Sequence, residues 1–205
     1  TTETYRHGSR SLEFFISMSP LLGEKKWSSS LLPPRSQMDI HVDAEEFMSK
    51  TIVLAMCKEL AKMSHQMYVE AELAKKPNKD LQAVTSWENL SETYKKSNIA
   101  QIQYHVERFN DFNIGIRQKS SLSSTFTFKE EDLLKLAMAE HERWCKERIA
   151  DGWVYGEKRD NEKKIHPSLV PWEQLSEEDK QKDVDVIKSI PILFDRIGLE
   201  LYYKS

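Results

Sequence analysis

AMAEHERWCKERIADGWVYGEKRD, residues 137–160, followed by KIHPSLVPW, residues 164–172, gathers His, Trp, Tyr, Arg and Gly more densely than any other stretch of this chain. Leu133, Leu136, Ala137, Trp144 and Ile149 fall near helical spacing, and Thr127 with Glu130 has the form of a capping box, so a helix is expected from about Lys129 to Ala150. Gly152 should end it, because glycine alone enters the left-handed region without strain. On that helix His141, Trp144 and Arg148 are three and four residues apart and share one face. A proton-sensitive donor, a stacking plane and a fixed cation lie on one stripe.

Working outward, an internal repeat emerges. WENLSETYK at 87–95 aligns with WEQLSEEDK at 172–180, an offset of 172 minus 87, or 85. Downstream Ile99 meets Val184, Ile102 meets Ile187, Phe109 meets Phe194 and Ile114 meets Leu199, all apolar pairs. Upstream, LAKMSHQMY at 60–68 matches LAMAEHERW at 136–144, now at an offset of 76. The first copy is therefore shorter, and it lacks a counterpart of GWVYG and of Arg159-Asp160.

His-x-x-Trp (His141, Trp144), Gly-Trp-x-Tyr-Gly (Gly152 to Gly156), Arg159-Asp160, Lys-x-His-Pro-x-Leu-Val-Pro (Lys164 to Pro171) and Trp-x-x-Leu (Trp172, Leu175) resemble the RyR domain. That repeat occurs in tandem in ryanodine receptors and also in many bacterial proteins. The resemblance implies a mainly α (α+β) fold of two pseudo-symmetric RyR-type helix-pair repeats with short antiparallel strands, and a tandem pair of bacterial type with a shortened first repeat. The expected divisions are an N-terminal arm or upstream tail over 1–42, a degenerate first repeat over 43–116, a Ser-rich linker over 117–127 and a second repeat over 128–205.

Within this plan Asp43 and Glu46 have capping-box spacing ahead of one long helix to about Leu73, and a second helix should run from Ser91 to about Asn113. The last helix is expected from Glu177 to Arg196, kinked or restarted at Pro191. Leu199 to Tyr203 alternates like an edge strand and is expected to pair with Trp153 to Glu157. In the arm, Arg10 to Met18 reads as a short helix and Trp27 to Ser36 as a Ser/Pro loop; Phe14, Phe15, Ile16 and Met18 would need covering.

A chain of 205 residues with 39% hydrophobic content can fill a core. Its 30 basic and 33 acidic residues nearly cancel, so the footprint of a nucleic-acid binder is missing. Two cysteines make no disulfide framework, and no apolar run reaches the roughly 20 residues of a membrane span, which suits a cytoplasmic protein. The chain opens without Met in a polar stretch, as a piece of a longer parent protein would.

By position in the tandem, the resemblance implies a cleft between the repeats with Tyr68 and Trp144 as two planes for a purine-type ring. Arg148 and Arg159 would then reach phosphates, and His65, Asn98 and His141 would supply directional hydrogen bonds. Glu72 stands where the first copy would match Arg148, and Asp183 where the second would match Asn98. The alternative is that Tyr68 and Trp144 are packing anchors and the histidines cap backbone groups. Cys145 four residues after His141 forms no legible nucleophile site, and His-Glu-x-x-Cys falls one ligand short of a zinc motif. The expectation is a non-enzymatic ligand-sensing module without cofactor or metal, reporting to attached or partner domains, or else a protein-interaction scaffold.

Overall fold

The computed structural model describes residues 5–18, 32–75, 84–121 and 125–204. The Asp43 carboxylate accepts the Glu46 N–H at 2.9 Å and starts α3 (Ala44–Ala55), behind the short helices α1 (Ser9–Met18) and α2 (Arg35–Met38). The long helix expected to Leu73 is two helices. Its backbone leaves helical geometry at Met56 (φ −99°, ψ 5°), and α4 (Cys57–Lys75) sets off anew. Neither Gly nor Pro marks this break. The helices part because α3 packs on strand β1 (Ile114–Gln118) while α4 packs on α5 (Glu92–Arg108).

Ser91 caps α5, and after a 3-10 turn over Phe109–Phe112 the left-handed Asn113 (φ 57°) redirects the chain into β1. Helix α6 (Glu130–Ala150) follows. Its N-cap is Lys129, so the capping box expected of Thr127 and Glu130 does not form. Glu130, Glu131 and Asp132 in the first turn complement the helix dipole instead, and the Lys129 N–H donates to the Tyr203 hydroxyl at 2.9 Å. Gly152 (φ 84°) closes α6 as expected: its N–H donates to Ile149 and the Trp153 N–H to Arg148. Helix α7 (Glu177–Asp195), capped by Ser176, runs unbroken through Pro191, where a kink or restart was expected. Buried Ile190, Leu193 and Phe194 anchor the turns on both sides of the proline.

Strand β4 (Leu199–Tyr203) does not pair with Trp153–Glu157. It lies antiparallel to β1, from Ile114 opposite Tyr203 to Gln118 opposite Leu199, so residues 117 and 118 of the expected linker are strand. Burial of Ile114, Ile116, Leu199 and Leu201 chooses the face, and Arg117 Nε donating to Glu200 Oε1 at 2.6 Å pins the register. The segment after α6 contributes β2 (Val154–Tyr155), which pairs in parallel with β3 (Ile165–His166). Gly156 sits beneath the Ile165 side chain, where a Cβ would collide with it.

The element order of the first half, α4, 3-10 turn at Trp87, α5, β1, recurs in the second as α6, 3-10 turn at Trp172, α7, β4. Both halves feed one core, in which Leu60, Ile102 and Phe109 meet Leu136, Ile187 and Phe194. The arm packs separately: Phe15, Met38, Val42 and Ala44 form a second cluster on α3, with Phe15 stacked on Phe47 at 5.1 Å. Phe14 joins it, whereas Ile16 and Met18 stay exposed; residues 27–31 of the Ser/Pro loop lie outside the described residues. Among the described residues no helix is long and apolar enough to cross a membrane.

Candidate functional site

Helices α4, α5, α6 and α7, with the segment from Trp153 to Ser168, enclose a cavity of about 430 Å³. All seven residues singled out from sequence, His65, Tyr68, Asn98, His141, Trp144, Arg148 and Arg159, line it. Their roles divide. His65 Nε2 lies 2.7 Å from the Thr85 carbonyl, and His141 Nε2 lies 2.8 Å from the Val170 carbonyl. Each histidine thus ties its helix to the loop ahead of the following 3-10 turn. Each Nε2 is thus engaged by a backbone carbonyl, as in the alternative in which the histidines cap backbone groups. Asn98 likewise spends an amide N–H on the Tyr94 carbonyl, at 2.9 Å.

His141 has a second acceptor. Its Nδ1 stands 3.5 Å from Asp183 Oδ2, so both ring nitrogens face oxygen and both carry hydrogen. Burial disfavours the charged ring, but Asp183, Cys145 and the Val170 carbonyl outweigh it and raise the His141 pKa to about 10. A folded pKa above the unfolded value of about 6.5 stabilises the fold fully below that value, and the stabilisation disappears as pH rises through about 10. Melting temperature should therefore fall between pH 7 and 10.5 in the wild type and more shallowly in Asp183→Asn. Equal slopes would remove the pair from this role. Since His141 is charged throughout pH 5.5 to 8, it should leave ligand affinity flat across that range.

Trp144 is half-buried between the His141 ring, at 5.9 Å and 25°, and the His166 ring, at 4.9 Å and 71°. Tyr68, from α4, leans on His65, and among the described residues no ring contact joins it to Trp144. Burial and the nearby Glu72 push the Tyr68 hydroxyl up to about 12, so it stays a neutral donor.

The two arginines carry the charge. Arg148 is only 5% exposed, its guanidinium 4.6 Å from the Tyr94 ring centre, 5.7 Å from Trp153 and 6.0 Å from Trp144. Among the described residues no hydrogen bond or ion pair engages it. Arg159 gives Nε to Asn161 at 2.9 Å and Nη2 to the Tyr94 hydroxyl at 3.4 Å, and likewise meets no carboxylate there. The other cations of the lining are matched: Arg143 by Glu140 and Glu147, Lys182 by Asp179, Lys75 by Glu72 and Asp185. No nitrogen of either arginine is among the fully buried side-chain atoms that lack a partner, so both guanidiniums keep access to the cavity and can take an acceptor from it.

Tyr94, His166, Trp153 and Asp183 also belong to this lining. A signal for Tyr94 existed: cavity positions 94, 97, 98 and 101 recur, at the offset of 85, as positions 179, 182, 183 and 186, which line it too. For His166 the Lys-x-His-Pro motif was the only hint. Among the described residues no group of three or more His, Cys, Asp or Glu is placed to hold a metal ion.

The RyR domain family model matches residues 127–201, from the approach to α6 into β4. That span holds Trp144, Arg148, Arg159 and His166 together with the two helices that carry the second half of the cavity. Over residues 127–201, therefore, this chain matches the RyR domain family.

Proposed function

We infer that the chain is a non-enzymatic ligand-sensing module whose cavity takes a purine nucleotide or a similarly planar metabolite and reports it to attached or partner domains. The observation that carries this reading is Arg148, a buried guanidinium ringed by Tyr94, Trp144 and Trp153, with no protein anion engaging it among the described residues. Such a site is built for an anionic group beside a flat ring. A volume of about 430 Å³ suits a compact ligand, near the lower end of the roughly 300 to 1,000 Å³ of ligand clefts. Residues 43–116 are read as a degenerate first copy in a bacterial-type tandem, supported by the recurring element order and by the parallel bonds of His65 and His141. A cytoplasmic location completes the reading, in keeping with the free thiols of Cys57 and Cys145.

Calorimetric titration with purine nucleotides tests it. Trp144→Ala should weaken binding by roughly 1 to 3 kcal/mol through the lost stacking plane, and Trp144→Phe should retain most of it. Arg148→Met should weaken a phosphorylated ligand by about 1.5 to 3 kcal/mol, on the order of 10- to 150-fold. Because Arg148 lacks an acceptor, the same change should leave the melting temperature unaltered or raised. No binding at millimolar concentration, with a large stability loss in both variants, would show that the cavity is structural. A scaffolding role is favoured by the exposed apolar side chains of Ile149, Val154 and Tyr155 outside the cavity.

A further inference from the structure

Three hydrogen-bond donors, on Arg148, Arg159 and His166, share the cavity lining where α6 meets the Trp153–Ser168 segment. The His166 ring makes T-shaped contacts with Trp144 at 4.9 Å and with Trp153 at 6.1 Å. These are the indoles that flank the Arg148 guanidinium. Its Nδ1 accepts the Ser168 N–H at 3.1 Å, which leaves the hydrogen of the neutral ring on Nε2. Burial is the main reason the ring stays neutral, and Arg159, Arg148 and Lys182 add to it against the pull of Asp179, together holding the pKa near 4. No hydrogen bond engages Nε2 among the described residues. Arg159 joins the group through Tyr94, whose face carries Arg148 and whose hydroxyl meets Arg159.

We propose, building on the nucleotide reading above, that the ligand bears a single phosphate seated between Arg148, Arg159 and the Nε2–H of His166. The site then takes a nucleoside monophosphate in preference to the triphosphate or the bare nucleoside. Charge sets the preference. A phosphomonoester carries about −1.5 to −2 at neutral pH, and the two guanidiniums balance it. The rest of the lining brings Asp179, Asp183 and Glu72, and its Lys182 and Lys75 already have carboxylate partners, so it offers further phosphates no unmatched lysine. A neutral His166 adds a directional hydrogen bond without over-charging the corner.

Isothermal titration of the full chain with adenosine, adenosine monophosphate and adenosine triphosphate tests the assignment. The wild type should bind the monophosphate about tenfold more tightly than either of the others. His166→Phe keeps a ring against both indoles but removes the donor. It should weaken the monophosphate about tenfold and leave adenosine unchanged, while His166→Gln, which restores an N–H, recovers most of the loss. Equal losses for monophosphate and adenosine would show that His166 only packs, and no loss would show that it makes no contact; either overturns the assignment. Wild-type affinities alone decide the phosphate count: triphosphate binding as tightly as monophosphate refutes it, yet leaves the nucleotide reading standing. Binding of none of the three refutes both.

Discussion

Replacing Glu140 by Ala should destabilise the fold by about 3 to 5 kcal/mol, the effect of breaking a buried ion pair from one side. Glu140 is 2% exposed, yet its carboxylate accepts Arg143 Nε at 2.8 Å, Arg143 Nη2 at 2.7 Å and Gln101 Nε2 at 2.6 Å. His105 Nε2 stands 3.1 Å away on the other oxygen, itself fully buried. Burial alone would push this carboxyl up, but Arg143 and His105 override it and bring the pKa down to about 2. The folded value lies below the unfolded one, so the stabilisation is present above about pH 4.5 and disappears as pH falls through about 2. Glu140→Gln keeps the shape and removes the charge, and it should lose less stability than Ala while flattening the acid limb of the stability curve. Denaturant unfolding at pH 3 and pH 7 measures both effects. A change under about 1 kcal/mol in Glu140→Ala would mean that the network contributes nothing net.

Phe109→Ala should lower stability by a similar amount, about 3 to 5 kcal/mol for an aromatic side chain removed from a closed core. Phe109 is fully buried and packs on Phe128 at 6.4 Å and Phe194 at 6.3 Å, so a first-half ring rests on two second-half rings. Its repeat counterpart Phe194→Ala should shift the same single transition, because one core serves both halves. Two separate transitions, only one of them moved by each variant, would instead establish two independent domains.

Much of this arrangement was legible because repetition and helical spacing are local properties of sequence. The face shared by His141, Trp144 and Arg148, and its weaker echo at His65 and Tyr68, pointed to the helices that line the cavity. Strand partners were not legible. β4 alternates as any edge strand does, and nothing in its residues states that its partner is Ile114–Gln118 rather than a nearer segment. The break at Met56 escaped because it follows from different packing partners of α3 and α4, with no local breaker to mark it. The same limit explains the histidines. Spacing places a ring on a helix face, but only the fold shows that a carbonyl from Thr85 or Val170 lies in front of it.

The pairing of β1 with β4 has a consequence for synthesis on the ribosome. β1 is made well before its partner, which is the last strand of the chain as described. Until β4 emerges, β1 presents open N–H and C=O groups beside Ile114 and Ile116, an edge of the kind that recruits foreign strands. The first-half helices wait as well, since Phe109 has neither Phe128 nor Phe194 to close over it. The nascent chain therefore keeps this apolar edge unpaired until residues 199–203 have emerged, and chaperone capture belongs to that interval.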